Sequence, residues 1–98
     1  MSSNDPIAIA PHAYRVLLEN DRVRVLDVRM KPGEKTDMHA HPDAVWYLMA
    51  AASARFTAED GSAFEGDLPA GVMWRPAELH GAENIGTAEM VAIAVELK

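Results

Sequence analysis

Apolar and polar residues alternate along most of this chain, and turn-forming residues interrupt the alternation at short intervals. Residues 22–30 alternate charged and apolar side chains, the pattern of a strand with one wet face. The arginines at 22, 24 and 29 are interleaved with Val23, Val25 and Val28, so they are expected on that wet outer face. Residues 14–18 predict a shorter strand, divided from the next by the turn residues Glu19, Asn20 and Asp21. Lys31-Pro32-Gly33-Glu34 predicts a turn, and residues 37–41 a short extended piece stopped by Pro42. Residues 44–50 are a continuous apolar run, which predicts a strand buried on both faces. Short strands are also expected at 55–57, 64–68, 72–74 and 79–85. The alternating strand 89–97 closes the series, with 91–95 buried or at an interface. No segment has a helical period. The chain reads as eight or nine short strands, an all-β barrel or sandwich.

Residues 1–12 break this pattern, with two prolines and no period. They are read as part of an N-terminal arm, 1–13, that is loosely ordered or packs on a partner, ahead of a single domain at 14–98. With 98 residues and no cysteine, thiolate and disulfide chemistry is excluded, and any metal must be held by nitrogen and oxygen. The net charge of -6 opposes binding to phosphate backbones, so no nucleic-acid partner is expected. No apolar run approaches the ~20 residues that span a bilayer, and no signal segment is evident. No membrane association and a cytoplasmic address are therefore expected.

The histidines carry the candidate chemistry. His39 and His41 are two residues apart, so on an extended strand both side chains leave the same face. His80 lies at the start of another predicted strand. Side by side with their histidines inward, these strands would bring three imidazoles together, and neutral imidazole is the commonest ligand for divalent transition metals. The alternative is a pair of strand-end histidines serving as surface polar groups. Asp37, Asp43, Glu78 and Glu83 are near enough in sequence to orient the rings. Glu78 is the most interesting of them: it could hold His80, shuttle a proton as a catalytic group or act as a replacement ligand, and otherwise is a solvated loop acid. Met30, Tyr47, Met49, Met73 and Trp74 are candidate pocket walls. Trp46, Tyr47 and Trp74 are equally read as core or dimer packing, and Asn84 as a turn residue that satisfies backbone groups.

Gly33, five residues, His39-x-His41, and later Gly71, Pro76, His80 and Asn84 resemble the two motifs of the cupin superfamily, in particular its small single-domain members. The resemblance covers roughly residues 14–97. It implies a double-stranded β-helix, or jelly-roll barrel, with a metal at its mouth. The glutamate of the first motif falls at Val45 or Trp46, and neither can ligate. The stretch from Gly71 to His80 is two residues shorter than the pattern. The resemblance therefore implies a three-histidine centre of His39, His41 and His80 for one divalent ion (Fe, Zn, Ni or Mn).

Such a centre predicts a metal-dependent enzyme on a small organic acid or carbonyl compound, with dioxygenation ahead of isomerisation. A non-catalytic small-ligand-binding cupin with a degenerate metal site is the alternative, and a scaffold whose metal is structural or absent is a third. Exposed strand edges need cover, so a homodimer is expected as well.

Overall fold

The structure, a computed structural model, describes residues 4–98. Nine strands follow one short helix among these residues: α1 (Pro6–Ile9), β1 (Tyr14–Glu19), β2 (Val23–Met30), β3 (Lys35–His41), β4 (Ala44–Leu48), β5 (Ala52–Ala58), β6 (Ala63–Leu68), β7 (Gly71–Arg75), β8 (Glu78–Asn84) and β9 (Met90–Leu97). A five-stranded sheet has the order β1-β2-β9-β4-β7, and a four-stranded sheet the order β3-β8-β5-β6. Every ladder is antiparallel. These two antiparallel sheets are the all-β architecture that the strand pattern predicts, in the jelly-roll form that the resemblance implies.

Strand parity sets the core. Leu26, Val28 and Met30 of β2 face inward beside Ala92 and Ala94 of β9, and they meet Ala54, Phe56 and Ala82 of the four-stranded sheet. Many inward residues of β9 and β5 are alanines, which leaves room between the sheets for the larger rings. The turn at 31–34 that brings β3 across from β2 closes with Glu34 N–H donating to Lys31 O over 3.0 Å. Gly33 takes φ +84° in it, a conformation that a Cβ would disfavour.

Three expectations are corrected. Arg24 does not lie on the wet face of β2. It shares the inward parity of Leu26 and Val28, and its side chain is only 16% exposed. Residues 44–50 are not covered on both sides either: Ala44 and Leu48 are buried, whereas Tyr47 is 45% exposed. A continuous apolar run marks burial against something, and among the described residues only one face of β4 is covered. The third concerns helix. One turn forms at α1, because Asp5 caps it by accepting from the Ile7 N–H over 2.8 Å and Pro6 fits the first helical position. This segment packs on its own chain. Ala10 and Ala13 enter the core, and Ala40 N–H donates to Asn4 O over 2.7 Å. Residues 1–3 of the expected arm lie outside the described residues.

Candidate metal centre

β3 and β8 pair so that His39 stands directly opposite His80, and His41 opposite Glu78. The period of two in β3 puts both of its histidines inward, and all three rings are buried, at 0%, 3% and 5% exposure for His39, His41 and His80. One ligand nitrogen from each lies within 4.8 Å of the others. The rings meet edge to face, with centroids 4.8 to 5.3 Å apart.

Hydrogen bonds decide which nitrogen each ring offers. His39 Nδ1 is 2.8 Å from the Asp37 carbonyl, which can only accept, so Nδ1 carries the proton and the Nε2 lone pair faces the Tyr14 hydroxyl. His41 Nδ1 is 2.7 Å from Glu96 Oε2 and is held in the same tautomer. Burial pushes the His39 pKa down to about 4, the neighbouring imidazoles adding to the effect, so this ring is neutral at pH 7. Among the described residues neither nitrogen of His80 has a hydrogen-bond partner. Its Nδ1 is 2.9 Å from Glu78 Oε1 but off the line that a hydrogen bond needs, and its ring stacks on Phe56 at 5.4 Å. A buried imidazole with two idle nitrogens is costly unless something arrives to use one. A neutral His39 ring, two Nδ1 atoms held by acceptors and a third ring with no hydrogen bond fit a divalent transition metal.

Glu96, 2% exposed, is part of a chain of ionic contacts that ends at this site. Arg24 Nε donates to Glu96 Oε1 over 2.9 Å, and Arg24 Nη1 donates to Asp5 Oδ2 over 2.9 Å. The cap of α1 is thereby linked through Arg24 and Glu96 to His41. Sequence reading overlooked Glu96 and put Arg24 on the wet face, although both share the inward parity of apolar neighbours and stand opposite each other on β2 and β9. Complementary charges in that register were the available signal.

Glu78 is in contact with His80 but is committed to Arg75, which donates from Nε and Nη2 over 2.7 and 2.9 Å. Burial would raise its pKa, yet the Arg75 guanidinium and the adjoining His80 ring outweigh this and hold the carboxyl well below the usual range. It sits where it can orient His80 and lies outside the converging nitrogens. Of the other acids weighed, Asp43 accepts from Ala77 N–H and Glu83 pairs with Arg55; Asp37 serves His39 by its carbonyl alone. Asn84, wholly buried, holds the Met30 and Ala88 carbonyls and the Gly86 N–H.

Beside His80 a small apolar cavity opens between the sheets, lined by Met30, Trp46, Phe56, Met73 and Arg75 among others. Met30 and Met73 line this cavity. Tyr47, Met49 and Trp74 do not: they are 45%, 47% and 54% exposed, because parity turns Trp46 and Met73 inward and their neighbours outward. Trp46, read from sequence as packing, has a buried Nε1–H with no acceptor among the described residues. Arg75 lies over the Phe56 ring at 4.6 Å. Tyr14, which carried no signal in the sequence, places its hydroxyl 3.0 Å from His39 Nε2.

No family model and no curated protein matches the chain. Solved structures do. A cupin domain from Bordetella pertussis Tohama I is 28% identical, over 87% of this chain and 91% of that one, with a TM-score of 0.79. The chain belongs to the cupin superfamily. This cupin is also 25% identical to an uncharacterised double-stranded β-helix protein from Klebsiella pneumoniae, over 99% of this chain and 80% of that one, with a TM-score of 0.68. A third similarity is to Bacillus subtilis oxalate decarboxylase, an enzyme with Mn(II) centres. There the identity is 29%, over 76% of this chain but 21% of that one, and the TM-score is 0.56. The cupin fold and the three converging imidazoles together point to a metal-binding cupin. Where the first cupin motif has its glutamate, this cupin presents Val45 and the indole of Trp46, 5.3 Å from the His41 ring.

Proposed function

We propose that this cupin holds one divalent transition metal through Nε2 of His39, His41 and His80 and acts on a small organic acid or carbonyl compound. One observation carries the reading: two buried imidazoles are held at Nδ1 and present Nε2 to the Tyr14 hydroxyl, beside a third whose ring nitrogens make no hydrogen bond among the described residues. A divalent ion in such a shell serves as a Lewis acid toward a substrate oxygen. The shell is neutral without a carboxylate, so the loaded centre favours an anionic ligand. The cavity's apolar walls exclude water, the idle indole N–H of Trp46 offers a donor to a ligand oxygen, and Arg75 contributes positive charge. The likeness to an oxalate decarboxylase with Mn(II) centres supports both the metal and the acid class of substrate.

Elemental analysis of untagged protein tests the metal, with one ion per chain expected. Oxygen uptake by the iron-loaded form against diketones, thiols and phenols tests dioxygenation first, and isomerisation of carbonyl compounds is screened next. Stoichiometric metal with ligand binding but no turnover would favour the non-catalytic cupin.

We further propose that a second copy covers the outer face of the five-stranded sheet. Val72, Trp74 and Tyr47 lie together on β7 and β4 and are 73%, 54% and 45% exposed. An apolar sheet face of this kind marks an interface in a chain of net charge -6. A monomeric mass at micromolar concentration would sink this part.

A further inference from the structure

Tyr14 opens β1 where the N-terminal segment joins the five-stranded sheet. Its backbone N–H donates to Ala10 O over 3.2 Å, and its ladder partner is Val28, so the ring points inward with the core of β2. The residue is 5% exposed, and its ring packs against both His39 and His41 with centroids 5.2 and 5.5 Å away. Its hydroxyl lies 3.0 Å from His39 Nε2 and 3.4 Å from His41 Nε2. One imidazole would satisfy the phenol's single proton. Tyr14 instead stands between two, and at the nitrogens that are free to ligate.

Those two separations have a geometric meaning. Donor atoms that share an ion at about 2.0–2.1 Å are about 3.0 Å apart across an octahedral edge and about 3.4 Å apart across a tetrahedral one. The Tyr14 oxygen is therefore already at the spacing of a shell-mate from two of the three imidazoles. It is also the kind of donor this centre lacks, because neither Val45 nor Trp46 can replace the motif carboxylate.

We propose that Tyr14 is the fourth protein ligand of the centre, its phenolate oxygen supplying the anionic donor that the first cupin motif otherwise takes from glutamate. This rests on the three-histidine reading. Ligation breaks the phenol O–H bond, forms a metal–oxygen bond and releases one proton to solvent; no electron changes hands. The loaded centre then carries one positive charge fewer and has one open position fewer than a shell of three imidazoles and water. The N-terminal segment becomes part of the site, because the chain from Asp5 to Ala13 delivers Tyr14.

The test uses the full chain loaded with ferric citrate and, separately, titrated with zinc. Ferric phenolate absorbs in the visible by charge transfer from ligand to metal, and imidazole does not. The wild type is expected to show this band, Tyr14→Phe to lose it while keeping the ion, and Tyr47→Phe to keep it. The chain has two tyrosines, so this pair of variants assigns the band. Zinc calorimetry in two buffers of different ionisation enthalpy is expected to find about one more proton released by the wild type than by Tyr14→Phe. One ion bound per chain with no band and no additional proton would overturn Tyr14 as a ligand and leave the histidine centre intact. Failure to bind either ion would overturn the centre and this proposal together. Should Tyr14→Phe not fold, the wild type and Tyr47→Phe decide: a band that survives the loss of Tyr47 belongs to Tyr14, and its absence from the wild type refutes the assignment.

Discussion

The two sheets divide the work unequally. The four-stranded sheet supplies all three imidazoles from β3 and β8, and its outer face is polar: Arg55 pairs with Glu65 and Glu83, and Ser53 donates to Asp67. The five-stranded sheet supplies no histidine to the cluster. It contributes what fixes the rings or walls the cavity, with Glu96 on His41, Tyr14 beside His39, and Met30, Trp46, Met73 and Arg75 around the opening. Its outer face is apolar at β4 and β7. The imidazoles thus come from one sheet, which also holds His39 through the Asp37 carbonyl, while the other sheet holds His41 through Glu96 and supplies Tyr14, so the centre exists only where the sheets close. Polar groups gather inside the sandwich at this end, and apolar ones lie outside it, the reverse of the usual distribution.

The strongest test removes the contribution of the four-stranded sheet. His39→Ala with His80→Ala is expected to abolish metal retention, as measured by elemental analysis of protein that has kept its strand signal in circular dichroism. Full occupancy in that double variant would eliminate the site.

The next test asks how firmly one sheet buries the other's rings. The His39 pKa is lowered from 6.5 to about 4 in the folded, metal-free protein, so the unfolded chain binds the extra proton between those values. Stability is therefore complete above about pH 6.5 and falls as the pH drops toward 4, by roughly 3 kcal/mol for a shift of this size. Denaturant unfolding of metal-free protein across that range measures it. A flat profile would mean that water reaches His39.

Glu96 probes the contribution of the five-stranded sheet. Glu96→Gln keeps the shape but weakens the hold on His41 Nδ1, and a loss of about 10- to 100-fold in zinc affinity is expected. Unchanged affinity would show that the His41 tautomer needs no help.

The outer faces should respond differently from each other and less than the centre. Val72→Glu with Trp74→Glu is expected to convert a dimer into a monomer in light scattering, with the metal content unchanged. Arg55→Ala, on the charged face, is expected to leave both mass and metal affinity as they were, because exposed ion pairs contribute little.

The strand series was legible because its signal is local: a period of two, punctuated by turn chemistry at Asn20-Asp21, Pro32-Gly33 and Gly86-Thr87. The His39-x-His41 spacing declared its own shared face in the same way. Parity went astray where the alternation was imperfect. Residues 44–50 are all apolar, so nothing local says that Trp46 points in and Tyr47 out, and Arg24 looks solvated until Glu96 is set beside it.

What the sequence determined by itself is therefore the series of short strands, the cupin motif spacing and the three imidazoles, because each rests on the geometry of an extended backbone or on a matching pattern. Only the tertiary structure decided that Tyr14 meets His39 across 25 positions of chain and that Glu96 meets His41 across 55. Those contacts run between sheets rather than along a strand. How two sheets stack is set by the packing of all their inward side chains at once, and no local pattern encodes it.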